Sequence, residues 1–236
     1  MGMLTSCSQK TVMVGNPAMV GFNDTGSDQQ AIAIADMTMD AMGGRAAYDE
    51  ARYLSWNFFG SRKHVWDKKT GDIYIKSIKD DYELYMNINN MDGSLLMGGV
   101  EITQEDSLSK YLQKGKDMWI NDSYWLVMPY KLKDSGVTLK HLGEGDTEEG
   151  APADILELTF EKVGKTPQNK YHVYVDKASK LVKQWVFYPD ASDAEPRFTT
   201  PWDGYKEYGG IMLSGGRGKY ALTEILVSDA LKSYFK

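Results

Sequence analysis

Between Tyr82 and Asn89 the side chains alternate without a fault, with Tyr82, Leu84, Met86 and Ile88 on one side and Glu83, Tyr85, Asn87 and Asn89 on the other. A period of two marks a strand with one buried face, and the same pattern returns along most of the chain. Leu54, Trp56 and Phe58 alternate with Ser55 and Asn57 inside residues 53–66, with Gly60 as a possible bend. Residues 72–79, 95–102, 137–142, 154–161, 171–176, 181–188, 202–208, 211–214 and 220–227 read as further strands. Turn signals separate them, among them Lys69-Thr70-Gly71-Asp72, Asn90-Met91-Asp92-Gly93 and Asp176-Lys177-Ala178-Ser179. About eleven strands in simple succession, with no long βαβ alternation, predict an α+β fold built on one large antiparallel sheet. A sheet that wide twists and curls. The expectation is a half-open β-barrel whose concave face is covered by helices.

Helical patterns are few. Ser27 or Asp28 suits an N-cap for a helix through Met42, with Ile32, Ala35 and Met39 along one face and Gly43-Gly44 as its stop. Residues 46–52 add a turn. A second helix starts at Thr103, carries Leu108, Tyr111 and Leu112 as its apolar stripe, and is expected to end near Gly115. Residues 229–235 suit a short terminal helix. The densest block of the chain follows the second helix. There Trp119, Tyr124 and Trp125 precede the run Leu126-Val127-Met128, which stops at Pro129, and Asp134-Ser135-Gly136 marks a turn. The run has strand length, so residues 119–139 are expected to form the seam between two halves of the sheet.

With 236 residues, 42% of them hydrophobic, one β-rich domain with a sizeable core is the economical division. A net charge of −6 leaves no basic footprint for nucleic acid. No apolar run reaches the roughly 20 residues of a membrane-spanning helix. Membrane attachment would therefore come from a lipid. The single cysteine closes Leu4-Thr5-Ser6-Cys7, which resembles a bacterial lipobox preceded only by Met1-Gly2-Met3. Cys7 is the expected lipidation site. Residues 1–7 then read as the remnant of a lipoprotein signal, residues 8–27 as a linker and residues 28–236 as a single domain. A blander reading makes the linker an irregular arm packed on the domain through Val12, Val14, Met19, Val20 or Phe22.

Chemistry-bearing patterns are weak. His64, His141 and His172 fall on separate strands without a second ligand at metal spacing, so no metal and no other cofactor is expected. Residues 143–150, GEGDTEEG, lack the order of a calcium loop and suit a solvated acidic turn. Gly209-Gly210 and Gly215-Gly216-Arg217-Gly218 lack the Lys-Ser/Thr of a phosphate loop, and no G-x-S-x-G elbow is present. No catalytic residue is assigned. What remains is apolar surface: Trp56, Phe58, Trp66, Tyr82, Met86, Trp119, Tyr124, Trp125, Met128, Trp185 and Phe187, with Trp202 nearby in sequence order. Singly each suits a core. As a set, aromatic rings and soft methionines suit the wall of a cavity for a flexible acyl chain.

Met42-Gly43-Gly44, Arg52-Tyr53-Leu54-Ser55-Trp56, Gly60 with Arg62, Trp66-Asp67, Thr70-Gly71-Asp72, residues 119–138, residues 154–160, Tyr174-Val175-Asp176-Lys177 and Ile211-Met212-Leu213-Ser214 together look like the LolA/LolB-like and RseB-like lipoprotein-carrier superfamily. Within it the chain is most similar to a branch of uncharacterised bacterial secreted or lipid-anchored proteins, over roughly residues 28–230. The resemblance implies an eleven-stranded half-barrel and, for the superfamily's carriers, a hold on lipoprotein acyl chains. It carries no catalytic residue. The arginine with which carriers latch their lid has two candidates, Arg52 and Arg62. A lipidated Cys7 departs from the soluble shuttle and is more like the anchored acceptor.

The expected function is that of a lipid-anchored envelope protein, facing the periplasm from the outer membrane, that binds a lipid or an acylated protein without covalent chemistry. One alternative is an RseB-type sensor that docks an envelope protein on the convex face or edge of the sheet. A hollow smaller than about 300 Å³ would favour it. A weaker alternative is a hydrolase with two carboxylates gathered from distant strands.

Overall fold

The structure, a computed structural model, describes residues 15–161 and 164–235. Cys7 and residues 8–14 of the expected linker lie outside the described residues. Residues 53–101 form a meander of β1 (Tyr53–Phe58), β2 (Arg62–Asp67), β3 (Asp72–Ser77), β4 (Tyr82–Asn87), β5 (Gly93–Met97) and β6 (Val100–Glu101). Phe59 and Gly60, with φ of 51° and 67°, make the turn that splits residues 53–66 into a hairpin instead of one bent strand. After the helices come β7 (Val137–Asp146), β8 (Pro152–Phe160), β9 (Lys170–Asp176), β10 (Val182–Tyr188) and β11 (Phe198–Pro201). The chain then returns to the first sheet through β12 (Asp203–Tyr208), β13 (Ile211–Arg217) and β14 (Tyr220–Val227), and β14 pairs with β1.

The α+β class and the large antiparallel sheet therefore hold. The strands divide into a nine-stranded sheet, ordered β12-β13-β14-β1-β2-β3-β4-β5-β6, and a five-stranded sheet, ordered β11-β10-β9-β8-β7. The outermost strands of the larger sheet, β12 and β6, do not pair with each other, so it stays open. Only Trp202 separates β11 from β12, and it is fully buried where the chain passes from one sheet to the other.

Helix α1 (Gln29–Ala41) has Asp28 at its N-cap position, one of the two residues expected there, but the Asp28 side chain makes no capping hydrogen bond to the helix. The Ser27 hydroxyl accepts the Leu139 N–H at 3.0 Å and the Asp28 carboxylate accepts the His141 N–H at 3.0 Å, so both stitch the start of the helix to β7. Gly43 then turns the chain at φ 104° into α2 (Gly44–Glu50), where a Cβ would fall 2.5 Å from the Gly210 carbonyl oxygen. Ahead of α1, part of the segment read as linker lies on the domain. Met19 N–H donates to Lys133 O at 2.9 Å, Gly136 N–H to Gly21 O at 2.7 Å, and Phe22 packs on the core.

The central block departs from its expectation. Helix α3 (Glu105–Val127) runs straight through Gly115 and on through Trp119, Tyr124 and Trp125, and a 3-10 turn at Met128–Lys131 carries Pro129. Leu126 and Val127 pack in the core of the nine-stranded sheet and Met128 in the core of the five-stranded one. A last turn enclosed from both sides is apolar all round, and such a run has no period to tell it from a buried strand. Gly115 does not end the helix because it is the point of closest approach to the sheet: a Cβ there would fall 2.2 Å from Leu84 Cδ2.

Both sheets pack against α3. Leu112 lies among Ile73, Leu84, Met86 and Leu95, and Trp119 meets Trp66 edge to face at 5.2 Å. On the opposite face of the larger sheet, Tyr53, Val65 and Tyr74 are covered by Leu231 of a short 3-10 helix, Asp229–Tyr234.

Candidate ligand-binding site

The five-stranded sheet presents an aliphatic end and an aromatic end on the same face. Leu139, Leu156, Val175 and Val182 form the first, Ala31, Ile34 and Ala35 of α1 pack into the same cluster, and Val137 stands opposite Phe160. Small alanines let a helix come close. The other end carries Phe160, Tyr171, Trp185, Phe187 and Phe198, with Phe187 opposite both Tyr171 and Phe198 in register. A bulge between Val182 and Gln184 shifts the phase of β10, so Val182 and Trp185, three residues apart, reach the same cluster.

Rigid rings at this end hold α3 off the sheet. Tyr124 and Trp125 close the hollow from the helix side, with Trp125 stacked on Trp185 at 4.7 Å and Tyr171 edge-on to Trp185 at 4.9 Å. The hollow measures about 380 Å³. Asp117 on α3 is its single carboxylate among the described residues, and it is ion-paired to Lys165. The Tyr124 hydroxyl and the Trp185 indole N–H are buried without a hydrogen-bond partner among the described residues.

Two further hollows adjoin it. A middle one of about 290 Å³ shares Ile120, Tyr124, Phe160 and Gly164 with the first and is lined also by Trp66 and Trp119. An outer, more polar one of about 590 Å³ shares Trp66, Lys131 and Asp134 with the middle one and opens among Arg45, Tyr48, Arg52 and Lys68. The three therefore follow one another along α3 and the turn after it.

The aromatic residues singled out from sequence divide accordingly. Tyr124, Trp125, Trp185 and Phe187 line the aromatic hollow, and Trp66 and Trp119 line the middle one. Trp56, Phe58, Tyr82, Met86 and Met128 are packed in the core. Phe160, Tyr171 and Phe198 join the site without having been singled out. Phe160 and Tyr171 were visible as strand residues, whereas Phe198 falls between the expected strands 181–188 and 202–208.

Beneath α3 a buried polar cluster pins the helix to the sheet. Asp122, fully buried, accepts Arg62 Nη2 at 2.9 Å and His64 Nε2 at 2.7 Å. Burial alone would raise the Asp122 carboxyl, but the hydrogen bonds from Arg62 and His64 outweigh it and hold the group below its ordinary value. Burial pulls His64 down, so the ring is neutral and donates its Nε2 proton, stacked on Trp56 at 4.7 Å. Of the two candidate latch arginines, Arg62 reaches α3, and Arg52 pairs with Asp67 on the same sheet. His141 and His172 sit beside Asp154 and Glu157 respectively. Among the described residues no cluster of three or more His, Cys, Asp or Glu is placed to hold a metal ion, and no helix is long and apolar enough to cross a membrane.

No family model matches the chain, and no curated protein does. Among solved structures it is similar to a DUF1329 family protein from Desulfovibrio piger, at 16% identity and a TM-score of 0.44, over 87% of this chain and 97% of that one. A LolA superfamily protein from Nitrosomonas europaea is similar at 11% identity and a TM-score of 0.42, over 87% and 97% of the two chains. MucB is similar at 11% identity and a TM-score of 0.28, over 85% of this chain and 60% of that one. At such identities no residue role is carried across.

Proposed function

We propose that this is a non-catalytic binding protein of the bacterial cell envelope, tethered through a lipid on Cys7, that takes the hydrocarbon part of a lipid or of an acylated protein into the aromatic hollow. The observation that carries the reading is the hollow itself. About 380 Å³ lies between α3 and the five-stranded sheet, walled by seven aromatic rings. That volume is within the range of small-molecule pockets, roughly 300 to 1,000 Å³, and the lining is of the kind they favour. Flat, rigid rings offer contact area to a flexible chain at little entropic cost of their own.

The test is uptake of a fluorescent fatty acid by delipidated protein, together with mass spectrometry of whatever lipid leaves the native membrane with it. Phe198 is 37% exposed on the rim, so Phe198→Asn leaves the core intact. It should weaken uptake by roughly tenfold, the worth of one partly buried ring. No uptake by the intact protein and no co-purifying lipid would defeat the reading.

A further inference from the structure

The outer hollow differs in kind from the aromatic one. Five cationic side chains, Arg45, Arg52, Lys68, Lys69 and Lys131, border it against three carboxylates, Asp49, Glu50 and Asp134, on a chain whose net charge is −6. Most of these charges are already matched. Arg45 pairs with Asp49 at 2.9 Å, Arg52 with Asp67 at 2.7 Å, and Lys131 with Asp134.

Among the described residues Lys69 and Lys68 have no ion-pair partner; Lys69 is exposed, whereas Lys68 is half-buried. The Lys68 ammonium lies 3.5 Å from the centre of the Tyr48 ring and donates to the Tyr48 carbonyl, neither of which carries a net charge. Tyr48 is itself fixed, stacked on Tyr130 at 4.2 Å, while the Tyr130 hydroxyl donates to Met42 O at 2.7 Å. A rigid aromatic shelf thus holds a half-buried cation at the mouth of a crevice. Burial pulls its pKa down to about 8, with Arg45 and Lys131 adding to the fall and Asp49 opposing it. A half-buried ammonium with no carboxylate in contact costs free energy that an arriving anion would recover.

Position gives the anion its source. The outer hollow borders the middle one at Trp66, Lys131 and Asp134, and the middle one borders the aromatic hollow at Ile120, Tyr124, Phe160 and Gly164. From Asp117 to Lys131 the helical rise makes this path about 20 Å long. An apolar trough with a positive mouth is the complement of an amphiphile with a negative head. Resting on the reading of the aromatic hollow as a hydrocarbon site, we infer that the cleft at Lys68 binds the anionic head group, carboxylate or phosphate, of the same molecule whose tail lies in that hollow.

Titration calorimetry of the full chain at pH 7 tests this with four probes: hexadecanoic acid, its methyl ester, hexadecyl phosphate and inorganic phosphate. The acid and the alkyl phosphate should bind about tenfold more tightly than the ester, the scale of one charge-assisted hydrogen bond. Inorganic phosphate should bind far more weakly than hexadecyl phosphate. Lys68→Met should erase the preference for the acid and leave ester binding unchanged, while Lys68→Arg should keep it. Met fills the same space without a charge, and unchanged ester binding certifies that the variant is folded. Equal binding of acid and ester by the intact protein overturns the inference and leaves the hydrocarbon site standing. A preference that survives in Lys68→Met also overturns it, as does inorganic phosphate binding as tightly as hexadecyl phosphate. If none of the three amphiphiles binds, the hydrocarbon site falls and the head-group site with it.

Discussion

Asp122 shows what a single buried carboxylate does in this protein. It faces Arg62 and His64 on β2 from the middle of α3, and it is charged because both partners donate to it. His64 has its pKa lowered in the fold, while an unfolded histidine titrates near pH 6.5. As pH falls through that value the unfolded chain gains a proton that the folded one refuses, so stability is present above it and drains away into acid. Asp122, also lowered, adds a loss in the same direction at lower pH. Urea midpoints of the wild type should fall between pH 7 and pH 5, and His64→Gln should flatten part of that fall. An unchanged slope in the variant would place the acid sensitivity elsewhere.

Helix α3 is the element on which both sheets depend, and its seating on β4 is set by the absence of a side chain at Gly115. A Cβ there would meet Leu84 Cδ2 at 2.2 Å and Met86 Sδ at 3.0 Å, both deep in the core. Gly115→Val should therefore cost about 2 kcal/mol, the usual penalty of overpacking, read as a lower midpoint in urea. A neutral result would mean that the helix rides freely on the sheet. The same element marks the limit of what the sequence disclosed. Strands with one solvated face, such as β4, were legible because alternation survives wherever one side stays wet. The path of α3 past Gly115 was not, since its last turn is enclosed by two sheets and Leu126-Val127-Met128 carries no phase. The division into two sheets was hidden for a related reason: nothing local distinguishes a strand that changes partners at Trp202 from one that continues. At the site, Tyr124, Trp125, Trp185 and Phe187 could be named from chemistry alone. Lys68 could not, because an unmatched cation is a property of its surroundings and not of its neighbours in sequence.

At the scale of the whole molecule, α3 belongs to both cores. Tyr124 and Trp125 pack on the five-stranded sheet and Leu126 and Val127 on the nine-stranded one. Neither sheet can lose the helix without exposing the other's apolar face, so unfolding should be a single transition. Far-ultraviolet circular dichroism and tryptophan fluorescence should give coincident urea curves, and separated curves would show that the sheets melt independently.

The buried corner at Trp202 has a mechanical consequence. One residue joins the two sheets there, stacked on Trp185 at 5.4 Å and lying under the Arg217 guanidinium at 3.4 Å, and Arg217 in turn donates to the Trp125 carbonyl at 2.6 Å. A joint so short behaves as the spine of a book. If the aromatic hollow holds cargo as proposed, a bulkier molecule enters past the Asp117–Lys165 ion pair that bridges helix and loop on its lining, and the reach of that pair limits how thick it can be.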